Sequence, residues 1–97
     1  MLIQHGDSSD AADWLDNYTG LPMHLQLAEA GYDVWIGNNR GTEYSQKHDH
    51  FTTDDPEFWA WSWAEMGAYD DVANIKAIKE QSGADKVFYL GWSQGTV

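Results

Sequence analysis

Lys86-Val87-Phe88-Tyr89-Leu90-Gly91-Trp92-Ser93-Gln94-Gly95-Thr96-Val97 closes the 97-residue sequence and decides its fold. Lys86 to Leu90 is short, apolar and rich in β-branched or aromatic residues, and the turn signal Ser82-Gly83-Ala84-Asp85 bounds it upstream, so it reads as a strand. The strand runs straight into Gly91-Trp92-Ser93-Gln94-Gly95, a G-x-S-x-G run. That sequence of events is the pattern of a nucleophile elbow: a strand ends in a sharp, strained turn, a serine hydroxyl is lifted clear of the sheet, and a helix carries the chain away. The two glycines are needed because side chains there would collide as strand and helix close on the turn. With nine glycines in the chain, the bare motif arises by chance in roughly one such sequence in twenty to thirty. The preceding strand is what separates an elbow at Ser93 from a glycine-rich surface turn that happens to hold a serine. An elbow implies the chemistry of a serine hydrolase.

Upstream of the elbow lies the best-marked helix. Ser62-Trp63-Ala64-Glu65 has capping-box spacing, in which serine oxygen and glutamate carboxylate satisfy free backbone N–H groups reciprocally. Behind it Met66, Tyr69, Val72, Ala73, Ile75 and Ile78 recur at three- and four-residue steps and predict one apolar stripe, ended by Gly83. Tyr32 to Ile36 reads as a strand closed by Gly37-Asn38-Asn39-Arg40-Gly41, and Pro22 to Ala30 as a short helix with Pro22 at its first position and Gly31 as its stop. Leu2-Ile3 reads as the end of a buried strand that turns at Gln4-His5-Gly6-Asp7-Ser8-Ser9. Residues 42–61 form a long polar and aromatic connection. Strand and helix thus alternate three times, which predicts an α/β fold with central parallel strands, right-handed crossovers and flanking helices. Residues 1–97 are expected to form a single partial core without an internal repeat or linker. Three parallel strands leave two edges unpaired, so the outer neighbours are expected from residues beyond this segment, and the segment alone should be marginally stable.

Composition excludes several functions. Sixteen acidic against five basic side chains give a formal net charge of −11, which phosphates of nucleic acid would repel and which leaves no basic patch for an anionic membrane. The 42% hydrophobic share with six tryptophans supports a packed core. No cysteine is present, so disulfides, zinc thiolates and cysteine nucleophiles are excluded within these residues. Met1-Leu2-Ile3 runs at once into polar residues without a signal-peptide pattern, and no apolar stretch is long enough to span a bilayer.

With these residues laid out, the chain resembles the acid lipase family of α/β-hydrolases, the group that includes gastric and lysosomal acid lipases. The resemblance rests on Gln4-His5-Gly6, Trp14, Ala28-Glu29-Ala30-Gly31-Tyr32-Asp33-Val34-Trp35-Ile36-Gly37-Asn38, Arg40-Gly41, Tyr44-Ser45 and His48. It continues through Asp55-Pro56-Glu57-Phe58-Trp59, Ser62-Trp63, Glu65-Met66, Tyr69-Asp70 and Gly91 with Ser93-Gln94-Gly95-Thr96, so it covers essentially the whole chain. It implies a partial α/β-hydrolase fold running from the first oxyanion loop to the nucleophile elbow, with the cap and C-terminal part following Val97. Ser93 would be the nucleophile that attacks an ester carbonyl and becomes an acyl-enzyme. The backbone N–H groups of Gln94 and of Asp7, the residue after His5-Gly6, would hold the developing oxyanion. Gln4-His5-Gly6 would lie beside the elbow despite the intervening sequence.

The implied substrates are neutral lipids such as acylglycerols or sterol esters, met at a lipid–water interface, with no metal or organic cofactor and a secreted or lysosome-like compartment. A small-ester carboxylesterase, a non-catalytic interaction module and a truncated product are the alternatives. Two positions depart from the pattern: the family has an apolar residue where Asp7 stands, and Trp92 replaces a histidine in the elbow. The family's order of Ser, then Asp, then His places both triad partners after Ser93, whereas His5, His24, His48 and His50 all precede it. Of these only His5 would lie near Ser93, and the resemblance implies that it shapes the oxyanion loop rather than serving as the base. Without both partners the acyl chemistry would be slower by several orders of magnitude.

Weaker signals have plainer readings. His48-Asp49-His50 suits a solvated loop better than a metal site, because i, i+2 imidazoles share a side only in a strand. Trp59, Trp61 and Trp63 read as core and staple contacts rather than a ligand platform. Asp54-Asp55 and Asp70-Asp71 read as capping or solvated carboxylates. Arg40 is expected to tie loops together near the site. Asn17-Tyr18-Thr19 fits the N-glycosylation pattern.

Overall fold

A computed structural model of the chain describes residues 1–16 and 20–97; the Asn17-Tyr18-Thr19 pattern lies outside them. Strand β1 (Leu2–Gln4) is the middle of a three-stranded parallel sheet, flanked by β2 (Trp35–Gly37) and β3 (Tyr89–Gly91). Ile3 stands opposite Ile36 on one side and Leu90 on the other, and Gln4 opposite Gly37 and Gly91. Leu2 and Ile3 are apolar and buried, as a middle parallel strand covered on both faces requires.

The chain moves from β1 to β2 on one side, then returns past β1 to place β3 on the other. The parallel strands β1 and β3 end side by side, at the carboxyl end of the sheet where open parallel sheets bind ligands. Gly6 follows β1 there and Ser93 follows β3.

Both outer strands differ from their sequence ranges. The predicted Tyr32–Ile36 is found at Trp35–Gly37, and Lys86–Leu90 at Tyr89–Gly91. The reason is pairing: a residue counts as strand only where β1 offers a partner, and the ladder opens with Trp35 N–H donating to the Met1 carbonyl and Leu2 N–H to the Phe88 carbonyl. Helix α1 spans Met23–Glu29, so Pro22 caps it rather than opening it. Its Met23 and Leu25 remain exposed.

The second helical stretch begins as predicted. Ser62 N–H donates to Glu65 Oε2 at 2.8 Å and Ala64 N–H to Ser62 Oγ at 3.2 Å, a capping box at the start of α2 (Trp63–Glu65). A π-helical segment, Met66–Asp71, then joins α2 to α3 (Val72–Ser82). Gly83 stops α3 at φ 72°, a left-handed position that suits glycine, with its N–H on the Lys79 carbonyl.

The single apolar stripe is not borne out. A π-turn holds more than the α-helical 3.6 residues, so side chains beyond it rotate relative to the α-helical pattern. Tyr69 and Val72 face solvent at 64% and 58% exposure, while Asp71 is buried and Ile78 alone of the stripe enters the core fully.

Candidate active site

The turn after β3 is built as an elbow. Ser93 has φ 52°, and Ser8 is the only other non-glycine with positive φ among the described residues. Left-handed backbone at a residue with a Cβ is strained, and such strain persists only where packing over-determines it. The packing here is main chain on main chain. A Cβ on Gly91 would stand 2.1 Å from the Gly95 carbonyl oxygen, and one on Gly95 would stand 2.6 Å from the His5 carbonyl oxygen. Neither glycine has positive φ, so close approach, not conformational freedom, selects glycine at both places. Gly95 N–H closes the turn on the Trp92 carbonyl at 2.8 Å, and a single 3₁₀ turn, Ser93–Thr96, follows. Ser93 is exposed at the tip.

The loop after β1 lies against this turn, as the resemblance implies. Trp92 N–H donates to the Gln4 carbonyl at 3.1 Å, and a Cβ on Gly6 would come within 3.0 Å of Ser93 Cβ. His5 is buried, and both ring nitrogens are engaged. Asn39 N–H donates to Nε2 at 3.1 Å, so Nε2 must carry the lone pair; the ring proton then sits on Nδ1, 2.8 Å from the Gly6 carbonyl. This arrangement removes His5 from consideration as general base and gives it a different task, bracing the loop after β1 against the loop after β2.

Asp7 and Gln94, the two predicted oxyanion donors, line one cavity of about 520 Å³. Asp7 is exposed, which lets its carboxylate turn to water. Trp59, Trp61, Trp63 and Met66 form an apolar wall of the same cavity. Trp59 and Trp63 are 45% and 58% exposed, so the expectation of core contacts fails for them. The 3₁₀ turn Pro56–Trp59 sends only Phe58 inward, which leaves Trp59 outside, and Trp63 opens α2 (Trp63–Glu65), which buries none of its residues.

Arg40 ties elements together as predicted. Its Nη2 lies 2.7 Å from Asp70 Oδ1, its Nε donates to the same carboxylate at 3.0 Å, and its backbone N–H adds a third donor at 2.8 Å. The Asp70 hydrogen bond raises the Arg40 pKa above its ordinary value against the opposing effect of burial. His48 and His50 belong to an exposed loop, where His48 Nδ1 accepts from the N–H groups of His50 and Phe51. Among the described residues no group of three or more His, Asp or Glu is arranged around a common metal position.

Residues 1–97 match the model of the alpha/beta hydrolase fold. The chain belongs to this family. Over 96 residues it is 45% identical to lipase member M of Mus musculus, 44% identical to gastric triacylglycerol lipase of Rattus norvegicus and 42% identical to lysosomal acid lipase/cholesteryl ester hydrolase of Homo sapiens. Each match covers 99% of this chain and 23–24% of the relative, so the chain spans about a quarter of the length of these curated relatives. The resemblance to acid lipases read from the sequence agrees with these matches.

Within this hydrolase fold the reading of Asp71 as a capping or solvated carboxylate fails, because its side chain is buried and caps no helix, and its partner Tyr89 reads from the sequence only as part of a strand. Tyr89 Oη lies 2.7 Å from the Gly95 carbonyl oxygen and 3.0 Å from Asp71 Oδ2. No local signal could have paired them, since Asp71 reaches Tyr89 only through the π-segment and the strand order.

Proposed function

We propose that these residues supply the nucleophile and oxyanion loop of a serine ester hydrolase acting on neutral lipids such as acylglycerols or sterol esters. The observation that carries the reading is Ser93 at φ 52° on a glycine-packed turn, pressed against the Gly6 loop. Ser93 Oγ attacks the ester carbonyl, the alcohol leaves, and water later releases the acid from the acyl-enzyme. The N–H groups of Gln94 and Asp7 hold the charge that develops on the carbonyl oxygen. Preorganised N–H donors of this kind, fixed by the turn rather than by mobile side chains, contribute roughly 3–4 kcal/mol each to lowering the barrier.

The base and its orienting carboxylate are a His and an Asp that follow Ser93 in chain order, because both nitrogens of His5 are already committed. The wall of Trp59, Trp61, Trp63 and Met66 beside Asp7 and Gln94 supports an apolar acyl group. Two of these relatives, a triacylglycerol lipase and a cholesteryl ester hydrolase, support the lipid class by their names. The words gastric and lysosomal in them support a secreted or lysosome-like compartment. No helix among the described residues is long and apolar enough to cross a membrane.

The test uses the protein encoded by the longest reading frame that carries these residues. A fluorophosphonate probe should label it and spare its Ser93→Ala variant; equal labelling of both sinks the reading. Turnover that rises with acyl length supports a lipase, and turnover confined to short esters makes it a carboxylesterase.

A further inference from the structure

The elbow is held from below by a side-chain contact that the esterase mechanism does not use. Asp71 is only 9% exposed, yet it is a carboxyl group. One oxygen, Oδ2, meets Tyr89 Oη at 3.0 Å; the other, Oδ1, is buried without a hydrogen-bond partner. Tyr89 Oη also meets the Gly95 carbonyl oxygen at 2.7 Å. That carbonyl is the atom packed hardest against Gly91, and the next residue upstream of it is Gln94, whose N–H faces the oxyanion in the reading above. The position of the Gly95 carbonyl therefore sets how tightly the turn closes on Ser93.

A tyrosine hydroxyl has one proton and here has two acceptors. If Asp71 is charged, its carboxylate competes for that proton as the stronger acceptor, and the Gly95 carbonyl loses its donor. If Asp71 is a neutral acid, it donates its own proton to Tyr89 Oη, and Tyr89 passes its proton to Gly95. The chain Asp71, Tyr89, Gly95 is then complete with every hydrogen used once.

We propose that Asp71 and Tyr89 are positioning residues that form a proton-operated latch on the nucleophile elbow, closed when Asp71 is a neutral acid and loosened when it is charged. Burial above all, with the neighbouring Asp70 charge, pushes the Asp71 carboxyl above its ordinary range, the Tyr89 hydroxyl, the Asn39 side chain and His5 pulling partly the other way. Burial and the neighbouring Asp71 raise Tyr89, which stays protonated and remains a donor. The charged or titratable groups around Asp71 are Tyr89 from β3, His5 from the loop after β1 and Asp70 from its own segment, the last paired with Arg40. Uncharged Asn39, Trp63, Met66 and Gly67 line the same small cavity, together with Val97 at the end of the chain. The sign follows from the direction of the shift. A carboxyl raised in the folded state stabilises the fold at low pH, and that contribution is lost as pH rises through its folded pKa.

This inference rests on Ser93 as nucleophile for its kinetic arm and on the fold alone for its stability arm. In the protein from the longest reading frame carrying these residues, Asp71→Asn and Tyr89→Phe are compared with the unaltered protein from about pH 4 to about pH 8. Asparagine keeps a donor for Tyr89 and cannot ionise. The ratio of kcat in the unaltered protein to kcat in Asp71→Asn should fall as pH rises, with KM unaffected. Tyr89→Phe should lower kcat about tenfold at acid pH, the effect of one lost positioning hydrogen bond, again with KM held. The difference in unfolding midpoint between the unaltered protein and Asp71→Asn should likewise move with pH, against the unaltered protein as Asp71 ionises. A pH-independent ratio together with a pH-independent midpoint difference overturns the latch. Failure of Ser93 to react with any ester or probe would overturn the hydrolase reading instead, and the midpoint difference would still decide the latch.

Discussion

The turns that follow β1 and β3 share an unusual backbone feature and differ in everything around it. Each places a serine in the left-handed region, Ser8 at φ 55° and Ser93 at φ 52°. Ser8 sits in an exposed loop whose order comes from side chains: Asp10 Oδ1 accepts from Ala12 N–H at 2.7 Å to start the 3₁₀ turn Ala11–Trp14, and Ala11 N–H reaches Asn38 Oδ1 at 3.0 Å. Ser93 sits on a turn where Gly91, Gly95 and Gly6 bring main chain against main chain. The contrast teaches that positive φ alone does not mark a reacting residue. Packing that forbids relaxation is what separates the proposed nucleophile Ser93 from Ser8, and a hydroxyl held by rigid backbone would meet a substrate without reorganising.

The largest test of that contrast is to add one methyl group to the rigid turn. Gly91→Ala and Gly95→Ala each drive a Cβ into backbone oxygen, at 2.1 and 2.6 Å, where no side chain can swing aside. Each should cost about 3 kcal/mol or more in urea unfolding, and a loss below about 1 kcal/mol would show that the turn relaxes as freely as the Ser8 loop. A middle-sized effect should fall on the other turn. Asp10→Ala removes the cap of Ala11–Trp14 and should cost about 1 kcal/mol, measured by the same unfolding, with the rate of probe labelling at Ser93 unchanged. Slower labelling would mean the two turns are mechanically joined.

The smallest change in stability should come from glycine at the two serines. Relief of left-handed strain and the greater chain entropy of glycine nearly cancel, leaving a change of about 0.5 kcal/mol or less at each site. Ser8→Gly should keep probe labelling and Ser93→Gly should lose it. If both lose labelling, the Ser8 backbone itself shapes the oxyanion loop, and the distinction between the turns narrows.

Much of this was legible in the residues. The elbow pentapeptide after a strand, the capping box at Ser62 and Glu65, the stop at Gly83 and the alternation of strand and helix all rest on local chemistry that tertiary packing leaves intact. Strand limits were less legible, because Tyr32 and Lys86 have strand-like neighbours but no ladder partner on the three-residue β1. Trp59 and Trp63 misled because aromatic character predicts burial on average, whereas here the turn Pro56–Trp59 turns only Phe58 inward and α2, which Trp63 opens, buries none of its residues. The partner that holds His5 in its loop could not be read from sequence, since it is a backbone N–H thirty-four residues away.

By itself the sequence determined the α/β class and the nucleophile candidate, since each is a local pattern of glycine, serine and apolar residues whose geometry is set within a few bonds, while the loop beside the elbow came from the family resemblance. Tertiary structure alone decided three things: that β1 lies between β2 and β3, that both nitrogens of His5 are occupied, and that Asp71 instead of Val72 turns inward against Tyr89. The physical reason is common to all three. Each depends on which distant backbone a side chain meets and on how far a π-turn rotates the helix beyond it, and neither quantity is encoded in the spacing of neighbouring residues.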